Sequence, residues 1–122
     1  MNASVGVRGA SLIYPAILHS GWVTAMAFTL TSATVNPSAA YTSAFGFGGF
    51  GPVRLAAQGT APHRSFVDID YGGPRWGDYS AEAIDPANGT IWGATEYVGS
   101  PPGNSEPYDN WGTRIWNLGL VP

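Results

Sequence analysis

Apolar and polar positions alternate through much of the chain, most clearly in GWVTAMAFTL at 21–30. Trp22, Thr24, Met26, Phe28 and Leu30 fall on one side of an extended backbone, and Val23, Ala25, Ala27 and Thr29 on the other. That period of two predicts a β-strand with one large-residue face and one small-residue face. A helix is disfavoured there, because Thr, Val and Phe are weak helix formers and no capping residue precedes Gly21. The preceding run LIYPAILHS (12–20) is apolar but interrupted by Pro15, which has no ladder donor and marks a strand start or a sheet edge. The pattern returns in PSAAYTSAF (37–45) and PVRLAAQG (52–59), on either side of GFGGFG (46–51). This glycine run lacks the Lys-Ser/Thr of a phosphate loop and no helix pattern follows it, so it reads as a hairpin turn. Residues 1–11 are small and polar and read as a lead-in strand or a loose terminus.

The best-specified unit is Arg75 to Tyr97, where WGDYSAEAI and TIWGATEYV flank DPANG. Asp85 and Asn88 can accept local backbone hydrogen bonds, Pro86 sets φ at the first corner, and Gly89 can take positive φ without a Cβ clash. The segment predicts a β-hairpin. TAPHRS and FVDIDYGGP (60–74) read as a linking loop with room for one short strand, GSPPGNSEPYD (99–109) as the most loop-like stretch, and NWGTRIWNLGL (110–120) as a closing strand. The expected core contains Trp22, Met26, Phe28, Trp76, Ile91 and Trp92.

Composition agrees with an all-β chain and narrows its partners. With 122 residues the chain is one domain's worth, 1–122, able to bury a modest core. Seventeen glycines and ten prolines among Trp, Tyr, Phe, Thr and Val favour short strands and tight turns. Charged residues are only 11%, there is no lysine, and the five arginines are scattered at 8, 54, 64, 75 and 114. A nucleic-acid backbone would find no basic stripe, so nucleic acid is not an expected partner. The absence of cysteine excludes a disulfide framework and a thiolate metal site. No run reaches the ~18 apolar residues of a membrane helix, so no membrane insertion is expected. Met1 to Gly9 has neither the basic start nor the apolar core of a signal peptide.

PSAAYTSA at 37–44 and YSAEAIDP at 79–86 form a loose internal repeat, with approximate units 12–59 and 66–120. Forty-odd residues is the length of a four-stranded propeller blade. Antiparallel hairpins forming about two β-propeller blades are therefore the leading architecture, and a β-sandwich is the alternative. The segments YPA (14–16), MAFTL (26–30), NPSAAYTS (36–43), GPVRLAAQG (51–59), RWGDYSA (75–81), NGTIWGATEY (88–97) and NWGTRI (110–115) resemble the C-terminal portion of secreted sialidase-like β-propeller proteins, the BNR or Asp-box repeat proteins. RWGDYSA and NWGTRI are the most specific. An Asp-box reads Ser-x-Asp-x-Gly-x-Thr-Trp, and Asp85 to Trp92 matches only a relaxed form of it. The resemblance implies a propeller-type fold and an extracellular location. It also implies a non-catalytic carbohydrate- or surface-glycan-binding role, with an exo-sialidase-like glycoside hydrolase or a purely structural fragment as alternatives. A homo-oligomer, or the remainder of a longer propeller, would complete the ring.

Four charges, Arg75, Asp78, Glu96 and Arg114, lie in or beside the strongest strand motifs. Opposite charges there read as an ion network that fixes the register of the last strands, since an unpaired buried charge is costly. The other reading is a polar site, for which arginine supplies bidentate carboxylate recognition. A glycosidase needs two carboxyl groups, or a tyrosine with an acid neighbour, across one bond. Asp78, Glu96 and Tyr97 are the catalytic candidates, with Glu82 and Tyr79 as further sources of acid and phenol. From a regular strand Asp78 and Glu82 share the face of Trp76 while Tyr79 takes the other, so Asp78 and Tyr79 would not enter one pocket. The ligand-binding candidates are Arg75, Trp76, Tyr79, Tyr108, Trp111 and Arg114. His19 and His63 have no supporting ligand spacing, and neither a metal nor a cofactor is expected.

Overall fold

The computed structural model describes residues 3–64, 76–77, 79–99 and 110–119. They form seven strands: β1 (Ser11–Ser20), β2 (Val23–Thr31), β3 (Ser38–Phe45), β4 (Arg54–Ala57), β5 (Ala81–Ile84), β6 (Ile91–Val98) and β7 (Trp111–Leu118). No helix occurs among the described residues. Strands β1-β2-β3-β4 make sheet A and β5-β6-β7 make sheet B, both antiparallel and neither closed into a barrel. The expectation of an all-β chain of antiparallel hairpins is met. Ser38 opens the third strand of sheet A, whereas Ser80 precedes the first strand of sheet B, so the sequence repeat does not superpose the sheets strand for strand.

The sheets pack face to face, β1 over β5, β2 and β3 over β6, and β4 over β7. The small face of β2 makes this possible: Val23, Ala25 and Ala27 join Ile91 and Trp116 in one buried cluster, with Leu18, Tyr41 and Leu118 packed against it. Trp116 is the largest side chain between the layers. Its ring lies over Gly93, its partner on β6, and stacks on Tyr41 of sheet A at 4.6 Å and 22°. The large face of β2 is buried as well, because Phe28, Leu30 and Ala40 are covered by Val5, Val7, Ala10, Val35 and Val53. Residues 3–10 thus form a cover over the outside of sheet A rather than a strand. Complete burial of Phe28 or Ile91 is worth about 1.5–3 kcal/mol relative to exposure.

Phe28 and Ile91 are fully buried and Met26 is partly so, but Trp22 and Trp92 are not core residues. Trp22, 63% exposed, occupies the two-residue turn between β1 and β2, where Gly21 at φ 59° takes the first corner. Trp92 sits on the outer face of sheet B because its neighbour Gly93 faces Trp116, and a shift of one residue along a strand exchanges faces. The DPANG turn forms as its residues dictate. Ala87 N–H donates to Asp85 Oδ1 at 2.9 Å, Thr90 N–H donates to Asn88 Oδ1 at 3.0 Å, and Gly89 has φ 74°.

Polar ties close the ends of the layers. Val98 N–H donates to Pro37 O at 3.0 Å, and Val98 O accepts from Thr60 N–H at 2.9 Å. Gly59 N–H donates to the buried Ser38 hydroxyl at 2.9 Å, and that hydroxyl donates to Asn36 O at 2.7 Å. Buried Asn110 donates to Pro62 O at 2.9 Å and accepts from Arg64 N–H at 3.0 Å. Each tie satisfies backbone groups that burial would otherwise leave costly.

Candidate functional site

Arg75, Asp78 and Tyr108 lie outside the described residues, as do most of the two expected loops at 60–74 and 99–109. The other sequence candidates are dispersed. Trp76 and Gly77 precede β5 instead of belonging to it, because the strand begins only at Ala81. Trp76 and Tyr79 are therefore not held to the alternating faces of a strand. The Trp76 indole N–H donates to Thr29 Oγ1 at 3.2 Å, and Thr29 Oγ1 donates to Glu96 O at 3.1 Å. The Trp76 ring also stands edge-on to His63 at 4.8 Å. This half-buried tryptophan is occupied in joining its own segment to sheet A and to His63.

Gly77 lies so close to the Glu96 carboxylate that any Cβ would collide with it. Glu96 and Tyr97 are consecutive in β6 and face opposite sides of sheet B, so they do not converge on one pocket. Arg114 pairs with Thr95 and is therefore on the opposite face from Glu96, which pairs with Thr113. The expected cross-strand contact between Arg114 and Glu96 does not form, since paired residues of an antiparallel ladder share a face. Tyr79 is 83% exposed and Trp111 51%. Among the described residues no group of three potential ligands could hold a metal ion.

The structure gathers a different set of side chains at one end of sheet A. Gly46 N–H donates to Trp22 O at 2.7 Å, which sets the β1–β2 and β3–β4 turns side by side. Trp22 and Phe47 meet edge to face, 6.2 Å apart and at 88°. His19, Gly21, Trp22, Gly46 and Phe47 line a hollow of about 160 Å³. The His19 Nδ1 is 3.0 Å from Thr24 Oγ1. Phe47 is more exposed than Trp22, and Phe45 is also exposed. This group is not among the sequence candidates, because alternation places Trp22 on a strand face and the glycines of GFGGFG signal a turn without saying what meets it. The available signal was an aromatic residue directly after or between glycines, since a ring carried on a tight turn has no sheet face to bury itself against.

A second hollow, of about 150 Å³, lies on the outer face of sheet B among Ala81, Ala83, Trp92, Ala94 and Ile115. Ile115 and Trp92 are exposed beside it.

Glu82 is a further residue the sequence did not single out structurally. It pairs with Gly93 and so faces the interior between the sheets, where neither carboxylate oxygen meets a hydrogen-bond partner among the described residues. Burial pushes its pKa up to about 7, and the Leu18 backbone, without reaching hydrogen-bond geometry, opposes the rise. The folded form therefore holds its proton more tightly than the unfolded chain. The favourable protonated state is intact below pH 4.5, and stability is lost as pH rises from there through about 7. Glu82→Gln is expected to melt with the wild type at pH 4 and to be more stable at pH 8. The gain should be about 1–2 kcal/mol, reduced from the full linkage because solvent reaches part of the group. Thermal melts at both pH values check this, and equal melting points at pH 8 would place Glu82 in water.

Compared with protein families, curated proteins and solved structures, the chain shows no match.

Proposed function

We propose that this chain is a non-catalytic all-β module that binds carbohydrate through aromatic side chains exposed on its turns. The observation that carries the reading is the Trp22–Phe47 pair, held open to solvent beside the His19 hollow. Large aromatics left exposed together mark a binding surface more often than isolated ones do. Hydrolysis receives less support. Glu96 and Tyr97 face apart, Glu82 points between the sheets, and none of these acids shares the aromatic hollow.

Sheet A has the strand number and meander order of a propeller blade, and the apolar outer face of sheet B is of the kind that blades bury against neighbours. Both support the two-blade reading and a homo-oligomeric ring. The interior shared by the two sheets favours a self-contained sandwich as the second reading. Action outside the cell follows from the resemblance to secreted sialidase-like proteins.

One experiment addresses these points: a glycan array and a fluorogenic glycoside panel, run on protein whose mass is fixed by light scattering. Binding without turnover is expected. Turnover would make the protein a glycosidase, and silence in both assays would leave a structural fragment. A ring-sized oligomer supports blades, and a monomer supports the sandwich.

A further inference from the structure

We propose that the hollow beside Trp22 seats one neutral pyranose ring by its C–H face and discriminates against sialic acid and other anionic sugars. The inference rests on the carbohydrate-binding reading and adds the chemical class of the ligand.

Three features of the hollow point to that class. The first is its shape. Phe47 stands at 88° to Trp22, so the two rings form adjoining walls, and the exposed indole leaves a flat apolar surface. A pyranose with equatorial hydroxyls has the matching shape: its axial C–H bonds displace water from the aromatic surface while its hydroxyls stay at the polar rim. Gly21 and Gly46 line the hollow between these walls. No atom lies within 4 Å of where a Gly21 Cβ would stand, and a Gly46 Cβ would rest 3.6 Å from the indole. Their missing side chains let a ring approach the backbone, and a volume of about 160 Å³ suits one sugar unit.

The second feature is the polar group. His19 has one ring nitrogen engaged by Thr24 at 3.0 Å, which fixes the imidazole and leaves Nε2 for a ligand. A sugar hydroxyl both donates and accepts, so it can satisfy Nε2 in either tautomer.

The third is charge. Among the described residues His19 is the only one lining the hollow that has an ionisable side chain, and no described arginine lines it. A carboxylate moved there would lose hydration without the guanidinium fork that normally replaces it. The resemblance to sialidases leads to the opposite expectation.

The test is titration of the whole chain with methyl β-glucopyranoside, methyl β-galactopyranoside and N-acetylneuraminic acid, followed by tryptophan fluorescence and by the indole N–H resonances. A neutral glycoside should bind with Kd on the order of 1 mM, the scale open to a ligand of about a dozen heavy atoms. Trp22→Ala should weaken binding by about tenfold or more, and His19→Ala by roughly threefold to tenfold, the loss of one hydrogen bond. Both should melt as the wild type does, because the two side chains are exposed. Trp111→Ala should bind normally. Should Trp22→Ala fail to fold, Trp22→Phe should still weaken binding several-fold by reducing the stacking surface. Neutral-sugar binding lost in Trp111→Ala and kept in Trp22→Ala would overturn this site while leaving the carbohydrate reading in place. Sialic acid binding as tightly as the neutral sugars would overturn the ligand class alone. No binding of any sugar would overturn both.

Discussion

Gly93→Val is expected to lower the melting point by about 10–20 °C, the size of effect that several kcal/mol of overpacking produces in a domain of this length. The Cβ of any residue at position 93 would enter the indole of Trp116. Trp116 is 8% exposed and already stacked on Tyr41, so its ring cannot retreat without separating the two sheets. The added methyl groups of valine leave no small adjustment that would accommodate both. Gly6→Val is the control, because no atom lies within 4 Å of a Cβ there, and it should stay within about 0.5 kcal/mol of the wild type. Near-ultraviolet circular dichroism during the melt reports the Trp116–Tyr41 pair directly. A Gly93→Val protein that melts within about 2 °C of the wild type would mean that Trp116 is seated elsewhere.

Thr29→Val should cost about 2–4 kcal/mol, nearly all of it through hydrogen bonds, since the two side chains have almost the same shape. Thr29 is 1% exposed, and its hydroxyl accepts from Trp76 and donates to the Glu96 carbonyl. Valine would take from the half-buried Trp76 indole N–H and from the Glu96 carbonyl the partner that the Thr29 hydroxyl supplies. Trp76→Phe removes one of these bonds from the other side. In a double-mutant cycle the two changes should therefore be non-additive by about 0.5–3 kcal/mol, as residues in one network are. Strict additivity in urea unfolding would show that the Trp76–Thr29 bond contributes nothing to the fold. The same bond gives RWGDYSA a structural meaning: Trp76 anchors the segment to sheet A, and Gly77 makes room for Glu96 of sheet B.

Local chemistry carried the reading of the strands and turns. The DPANG loop needed only the preferences of Asp, Asn and Gly, and the alternation in β2 needed only the pleat, so both were legible along the chain. The exposure of Trp22 and Trp92 was not, because it depended on where a turn ended and which face met the other layer. The covering segment at 3–10 has the same cause: small residues show no period when they lie across a sheet instead of within it. Glu82 looked like one more acid on a strand. Its orphaned carboxylate becomes visible only when Gly93 and Leu18 are placed around it. The aromatic end of sheet A required two hairpins to meet through Gly46 and Trp22, a contact between turns 24 residues apart.

The interruption in β1 bears on how the protein behaves at high concentration. The register of β1 against β2 slips between Ile13 and Ala16, and Tyr14 takes a φ of 52°, unusual for a residue with a side chain. With Pro15 beside it, that margin of sheet A cannot template a foreign strand along its length. In the described sheets β4 and β5 offer only four residues each, while β7 runs uninterrupted for eight. Among the described strands, β7 is therefore the margin best suited to strand addition. Strand addition through β7 in two copies about a two-fold axis would join their B sheets into one, and neither the interrupted β1 nor the four-residue β4 and β5 offers an equal margin among the described strands.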